Sequence, residues 1–402
     1  MGAARGPVRR LHGGKGPGDP EGQLRRTHVL PPARARVRGY LGCPPVLRRL
    51  RRRRRRLHPG GVALTGRFGA AILGCAGPRL GPEERRFFRD ANPFGFILFA
   101  RNIDSADQLR ALTSELRDGV GWDAPILVDQ EGGRVQRLRA PLATEWLPPL
   151  EHVAALGAHA AEGMALRYQI TALEMRSYGI DVDCAPMLDL ARADTHPFLR
   201  NRCYGETLEQ VVAVGRAVAE GLLAGGVLPV IKHMPGHGLA QMDSHHDLPR
   251  ITAPAETLQA LDFAAFKPFA DLPMGMTAHL VYDAFDGAPA TISPEMMRLI
   301  RDEIGFGGFI MTDDISMQAL SGTVAERGAA ALAAGCDAVL HCNGDMAEMV
   351  PLMEAAGAMT DAAQARAEAA LAVRRDPEPV DMATLRAKLE ALPTDPPDDH
   401  RP

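Results

Sequence analysis

From residue 67 onward, short apolar runs alternate with longer segments of helical periodicity. Eight runs have the length and composition of buried strands, at 68–74, 94–99, 125–129, 180–186, 227–233, 274–280, 308–312 and 338–341. Between them, apolar residues recur at three- and four-residue spacing, as in helices, over 105–119, 152–178, 208–225, 254–270 and 323–334. This alternation is typical of repeated β–α units around a parallel sheet. Because eight strands suit a closed sheet, the sequence predicts an α/β fold with a single (β/α)₈ TIM-type barrel.

The two ends of the chain fall outside this pattern. Residues 1–61 hold 17 of the 46 Lys and Arg residues and two of the 49 acidic residues. We predict a disordered arginine-rich extension, since no apolar periodicity accompanies this charge. An arm for nucleic acid or a membrane surface is one interpretation, but we favour a start assigned too far upstream, with the protein proper beginning near Val62. We assign 62–375 to the barrel and 376–402 to a C-terminal tail around a short helix at 381–392.

Cysteine usage and hydropathy indicate the compartment. No apolar run reaches the roughly 18 residues that a membrane-spanning helix needs. The pair Arg9-Arg10 is not followed by the apolar stretch of an export signal. The six cysteines are scattered without C-x-x-C pairs, which suits free thiols in a reducing cytosol. We therefore expect a cytoplasmic protein without a disulfide framework or a zinc knuckle.

The densest group of reactive side chains follows the fifth predicted strand, as K-H-M-P-G-H-G over 232–238 and D-S-H-H-D over 243–247. In an extended segment Asp243 and His245 project to the same side, so the carboxylate can orient the imidazole. Histidine suits acid/base work because its pKa of about 6.5 is close to cytosolic pH. A zinc site is the alternative, but Pro235, Gly236 and Gly238 favour a mobile catalytic loop over 234–246 that closes on substrate.

Two further groups of polar residues follow other strands. At the Asp313-Asp314 pair, strand alternation predicts that only one carboxylate points into the barrel mouth; we take Asp313 as the candidate nucleophile and Asp314 as a cap or turn residue. After the third strand, Asp129 and Arg137 suit the hydroxyl and ring oxygens of a sugar, whereas Glu131 could form a structural ion pair with Arg134. Strand ends of a barrel converge on one face, so these groups are expected to meet.

Three segments, at 128–138, 232–246 and 311–317, closely resemble glycoside hydrolase family 3, specifically its single-domain bacterial cytosolic β-N-acetylhexosaminidases of peptidoglycan recycling. The resemblance runs from about residue 68 to about residue 343. It implies that Asp313 is the nucleophile and that Asp243 and His245 form the acid/base dyad. It also implies five substrate-binding residues, Asp129, Arg137, Arg202, Lys232 and His233.

The activity that this resemblance implies is retaining, exo-acting hydrolysis of a terminal N-acetylglucosamine through a glycosyl-aspartate intermediate. The implied substrates are N-acetylglucosaminyl-1,6-anhydro-N-acetylmuramyl sugars or peptides, with no metal or organic cofactor. We expect a monomer with no nucleic-acid or membrane partner. The alternatives are a family-related β-glycosidase of other specificity, a metal-dependent barrel hydrolase and a non-catalytic sugar-binding barrel. We expect no second α/β domain, which in many β-glucosidase relatives supplies the acid/base, and this favours the hexosaminidase.

Overall fold

A computed structural model describes residues 66–240 and 248–394. Its central feature is a closed barrel of eight parallel strands, each paired with its neighbours in chain order, and this confirms the predicted (β/α)₈ barrel. All eight predicted strands are present, as β1 Gly69–Gly74, β2 Pro93–Leu98, β3 Ile126–Val128, β4 Val182–Asp183, β5 Leu228–Met234, β6 Met274–Thr277, β7 Phe309–Asp314 and β8 Ala338–His341.

Helices follow each barrel strand. They are α1 Pro82–Ala91, α2 Ala106–Val120, α3 Pro149–Leu156, α4 Ala160–Arg176, α5 Leu208–Ala224, α6 Ala255–Ala260, α7 Pro294–Arg298, α8 Val324–Ala334, α9 Met346–Ala356, α10 Asp361–Leu371 and α11 Met382–Glu390. Shorter turns are Ala100–Asn102, Gly157–His159, Pro197–Arg200, Lys267–Phe269, Ala290–Ile292 and Leu299–Glu303, and short strand pairs are Gln130–Gly132 with Val135–Gln136 and Arg250–Ile251 with Val281–Tyr282.

Local sequence explains where two predicted helices were too long. The segment predicted as one helix over 152–178 is divided into α3 and α4, because Gly157 adopts φ 50° and ψ −121°, which is outside the helical region. The segment predicted over 254–270 is helical only in α6, since Leu261 leaves the helix at φ −122° and ψ −71°. The chain there continues through turns to the short helix that contains Pro268, which has no backbone N–H to continue an α-helical ladder.

The barrel separates its apolar residues into two layers by strand alternation. Alternate residues such as Ile72, Val230 and Met311 cluster inside the barrel, together with Met359 and three alanines of α10. The residues between them, such as Leu73 and Ile310, pack outward against the helices. Alternation therefore directs the residue two positions beyond the last inner apolar residue into the barrel mouth.

The described part of the C-terminal tail, 376–394, is packed on the barrel. The N–H of Glu378 donates to the carbonyl of Ala224, and Arg386 donates to Glu174 at 2.8 Å. In the part of the chain that the structure describes, no helix is long and apolar enough to cross a membrane. The five cysteines of that part are all free thiols. The extension predicted over 1–61 lies outside the described residues.

Candidate active site

A cleft of about 840 Å³, open to solvent, lies at the carboxyl end of the barrel strands. Its floor contains the inner apolar residues Ile97, Met276 and Leu340. Six of the eight residues predicted for the site border it together, namely Asp129, Arg137, Arg202, Lys232, His233 and Asp313. The sequence separations between them are large, so the barrel closure itself assembles the site.

Asp129 stands at the centre of a group of charges on one wall of the cleft. Its Oδ1 lies 3.0 Å from Lys232 Nζ, and its Oδ2 lies 2.9 Å from an Arg137 nitrogen. Burial by itself raises the pKa of Asp129, but the charges of Lys232 and Arg137 outweigh burial and hold that pKa well below its usual range. Asp129 is therefore ionised, and its carboxylate, 16% exposed, can accept hydroxyl hydrogens from a ligand.

Glu131 holds two cations of the same wall, Arg202 and Lys232. Its carboxylate accepts two hydrogen bonds from Arg202, at 2.7 and 2.8 Å, and lies 2.5 Å from Lys232 Nζ. Burial by itself raises the pKa of Glu131, but the charges of Arg202 and Lys232 have the larger combined effect and lower that pKa to about 2. The expected pairing of Glu131 with Arg134 is not the arrangement found: Glu131 pairs with Arg202 and Lys232, and Arg134 lies over the ring of Phe198.

A histidine–carboxylate pair involves His233, the residue after Lys232. His233 Nδ1 lies 2.8 Å from Asp189 Oδ2, and the other oxygen of Asp189 accepts the backbone N–H of His237 at 2.6 Å. Burial and the neighbouring His233 lower the pKa of His237 to about 4. Asp189 thus fixes the ring of His233, which borders the cleft.

Both acids of the Asp313-Asp314 pair border the cleft, so the expectation that only one reaches the mouth is wrong. The pairing of β7 with β8 shifts register between Met311 and Asp314, and such a bulge breaks strand alternation. The carboxylate of Asp314 accepts hydrogen bonds from the N–H groups of Ser316 and Cys342, both at 3.1 Å. Asp314 has the turn role expected for it, and Asp313 remains the candidate nucleophile.

The loop predicted over 234–246 is only partly within the described residues. In its first half, the carbonyl of Gly236 accepts a hydrogen bond from Tyr282 at 2.5 Å, and that of Gly238 accepts one from Thr195 at 2.6 Å. Residues 234–238 are buried. Closure of the loop on substrate stays a prediction, because residues 241–247, which include Asp243 and His245, lie outside the described residues.

Sequence reasoning missed Asp189, and it did not assign a role to Asp183. Asp183 is the last residue of strand β4 and Asp189 lies six residues beyond it, and the run Pro186-Met187-Leu188-Asp189 after the strand end was the available signal. Among the described residues, no group of three or more His, Cys, Asp or Glu side chains is placed to hold a metal ion.

Asp183 provides a test of the electrostatics under the cleft. It is 0% exposed, its Oδ1 accepts the N–H of Gln130 at 3.0 Å, and burial raises its pKa to about 7. A raised pKa gives stability that is complete below the unfolded-state pKa of about 4 and is lost as pH rises to about 7. The Asn side chain does not titrate, so wild type should lose stability relative to Asp183→Asn as the pH rises. We expect the free energy of unfolding of Asp183→Asn, relative to that of wild type, to increase by about 3 kcal/mol between about pH 5 and pH 8.

The measurement is denaturant unfolding of both proteins across that pH range. Asp118→Asn, on the exposed face of α2, controls for the removal of a carboxylate. A difference between Asp183→Asn and wild type that stays constant with pH would show that Asp183 is ionised throughout.

Comparison with protein families gives one match that covers most of the chain. Residues 77–375 match the model of the glycosyl hydrolase family 3 N-terminal domain. Among curated proteins, a β-hexosaminidase of Alkalilimnicola ehrlichii is 38% identical over 284 residues, which is 69% of this chain and 81% of that protein. A β-hexosaminidase of Methylococcus capsulatus is 38% identical over 281 residues, which is 68% of this chain and 82% of that protein.

A solved structure is similar over nearly the whole described region. NagZ from Neisseria gonorrhoeae, in complex with N-trifluoroacetyl-D-glucosamine, superposes with a TM-score of 0.70 at 29% identity. The superposition covers 81% of this chain and 95% of that one. The similarity therefore includes the barrel and the strand ends that form the cleft.

Proposed function

Since this chain belongs to glycosyl hydrolase family 3 and is a glycoside hydrolase of the β-N-acetylhexosaminidase type, we propose that it removes terminal N-acetylglucosamine from muropeptide-type cell-wall fragments with retention of configuration. The main support for this proposal is that Asp313 and the charged group around Asp129 border one cleft at the barrel mouth. The proposed nucleophile and the proposed sugar-binding residues therefore border the same cleft.

The proposed mechanism has two steps. The Asp313 carboxylate attacks the anomeric carbon, the glycosidic C–O bond breaks, and His245 gives its proton to the departing oxygen. His245, then neutral, takes a proton from water, and the water oxygen displaces Asp313 from the anomeric carbon. Asp243 orients the imidazole of His245 in both steps.

We infer action on a chain end from the family resemblance. The floor of the cleft is lined by inner apolar residues of the barrel. Asp129, Lys232 and Arg137 offer an ionised acceptor between two cations, which suits adjacent hydroxyl groups of a pyranose. Arg202 and His233 complete the proposed contacts to the terminal sugar.

The proposed substrates are N-acetylglucosaminyl-1,6-anhydro-N-acetylmuramyl sugars or peptides. Curated relatives bear the name β-hexosaminidase, and the Neisseria protein was solved with an N-acylated glucosamine, so an N-acetylglucosaminide is the supported class. We infer a cytoplasmic location for this activity, and the free thiols of the described cysteines are consistent with it.

The first experiment compares the nitrophenyl β-N-acetylglucosaminide with the nitrophenyl β-glucoside. We expect kcat/KM to be at least about 1,000-fold higher for the N-acetylglucosaminide, because the acetamido group adds contacts that glucose lacks. Proton NMR of the first sugar released should show the β-anomer before mutarotation. Preference for the glucoside would favour a family-related β-glycosidase, and an initial α-anomer would contradict retention.

A purified N-acetylglucosaminyl-anhydromuramyl peptide then tests the finer substrate. Release of N-acetylglucosamine from it, with a larger kcat/KM than from chitobiose, is the expected result. Equal kcat/KM values on the two substrates would be consistent with an N-acetylglucosaminidase but would contradict a preference for muropeptides.

A further inference from the structure

His279 lies directly after β6 and is fully buried, yet nothing above assigns it a role. Its Nε2 lies 3.0 Å from the backbone carbonyl oxygen of Asp314, and its Nδ1 lies 2.8 Å from the hydroxyl of Thr291. Because a carbonyl oxygen can only accept, Nε2 carries the hydrogen and donates it to Asp314. His279 therefore joins the end of β6 to the end of β7, the strand that carries Asp313.

The end of β7 is no longer paired with β6 and shifts its register against β8. Its residue pairs with β6 end at Met311 opposite Met276, and its pairing with β8 shifts between Met311 and Asp314. Asp313 thus lies in the stretch where the ladder constrains the backbone least. The hydrogen bond from His279 to Asp314 replaces the ladder on the β6 side.

Two hydroxyl groups fix the ring of His279. The one hydrogen of the Thr291 hydroxyl has two acceptors within reach, His279 Nδ1 at 2.8 Å and the carbonyl of Ala278 at 3.0 Å, and the Thr277 hydroxyl lies 2.8 Å from the Thr291 oxygen. Burial lowers the pKa of His279, so the ring is neutral near pH 7 and its Nδ1 can accept a hydrogen bond from Thr291. A buried chain of this kind orients its members more firmly than an isolated contact does.

Asp314 transmits this constraint to Asp313. The N–H of Asp314 donates to Asp313 Oδ1 at 2.8 Å, while its carbonyl accepts from His279. We propose that His279 is a positioning residue, which holds the Asp314 peptide and thereby keeps the Asp313 carboxylate directed at the anomeric carbon. The inference rests on the proposed role of Asp313 as nucleophile.

Two substitutions of His279 distinguish the effect of losing the hydrogen-bond donor to Asp314 from the effect of losing the imidazole ring. In His279→Gln the amide nitrogen can reach the place of Nε2 and donate to Asp314. In His279→Asn the shorter amide lies near the place of Nδ1 and keeps only the contact with Thr291. A displacement of about 1 Å at a reacting group costs about 100-fold in rate, so we expect His279→Asn to lower kcat by about 100-fold and His279→Gln by less than about 10-fold, with KM within about twofold in both.

Three further readouts separate positioning from general destabilisation. Thermal unfolding should give similar midpoints for the two variants, although their kcat values differ. The pH profile of kcat for His279→Gln should match that of wild type, because a neutral ring takes no part in proton transfer. With a slow fluorinated substrate, His279→Asn should label Asp313 more slowly than wild type, at the same residue.

Equal kcat values for the Asn and Gln variants, or a loss confined to KM, would overturn the role of His279. A wild-type label on a residue other than Asp313 would instead overturn the proposed nucleophile. If His279→Asn does not fold, Thr291→Val, which removes the orienting hydroxyl, should lower kcat about 10-fold, and Thr291→Ser should retain it. Equal activity of those two variants would also contradict the proposal.

Discussion

Replacing Asp313 by Asn is expected to lower kcat on the nitrophenyl N-acetylglucosaminide by about 10⁴-fold or more, with KM little changed. The amide cannot form the glycosyl ester, so the first step of the proposed mechanism is lost. A slow fluorinated substrate should place a covalent sugar on the wild-type peptide that contains Asp313, as detected by mass spectrometry. A label on the peptide that contains Glu131 would contradict the assignment.

Asp314 provides the matched control, because both acids border the cleft. In Asp314→Asn the side-chain oxygen can still accept from Ser316 and Cys342, so we expect a loss in kcat below about 100-fold. Asp313→Ala with sodium azide should release the α-glycosyl azide, since azide attacks from the side vacated by the carboxylate. Losses of equal size at Asp313 and Asp314 would mean that the pair acts together.

His245→Ala is expected to slow substrates with poor leaving groups at least about 100-fold more than nitrophenyl substrates. A sugar alkoxide needs a proton to depart, whereas nitrophenolate departs readily without one. Asp243→Asn should show a milder form of the same difference, because Asp243 orients the imidazole rather than transferring the proton. The measurement is kcat/KM on a disaccharide and on the nitrophenyl glycoside for each variant.

His246→Ala, next to His245 in the sequence, is the matched control and should affect both substrate types alike. Equal losses on the two substrates for His245→Ala would exclude a role in protonating the leaving group. Activity that disappears with a chelator and returns with zinc would instead support the alternative of a metal-dependent hydrolase.

Local sequence patterns were sufficient for the strands and for part of the site. Apolar runs bounded by turn residues located all eight strands, because burial on both faces of a parallel barrel requires continuous apolar residues. Alternation within those strands then placed Asp129, Lys232 and Asp313 two residues beyond the inner apolar residues Leu127, Val230 and Met311. These are short-range consequences of strand geometry, so the sequence determined them by itself.

Contacts between distant segments depended on the closed barrel. Nothing local to Glu131 indicates Arg202, 71 residues away, or pairs His233 with Asp189 across 44 residues. The register shifts of β5 and β7 are also tertiary, since they arise from pairing with a neighbouring strand, and the shift of β7 brings Asp314 to the cleft against the alternation rule.

Sequence therefore determined which strand ends carry chemistry, and the tertiary structure decided which charges neutralise one another and which acids share the cleft. The physical reason is that alternation is fixed by the geometry of adjacent residues, whereas ion-pair partners in a buried site are fixed by which strand ends the barrel brings within hydrogen-bond distance.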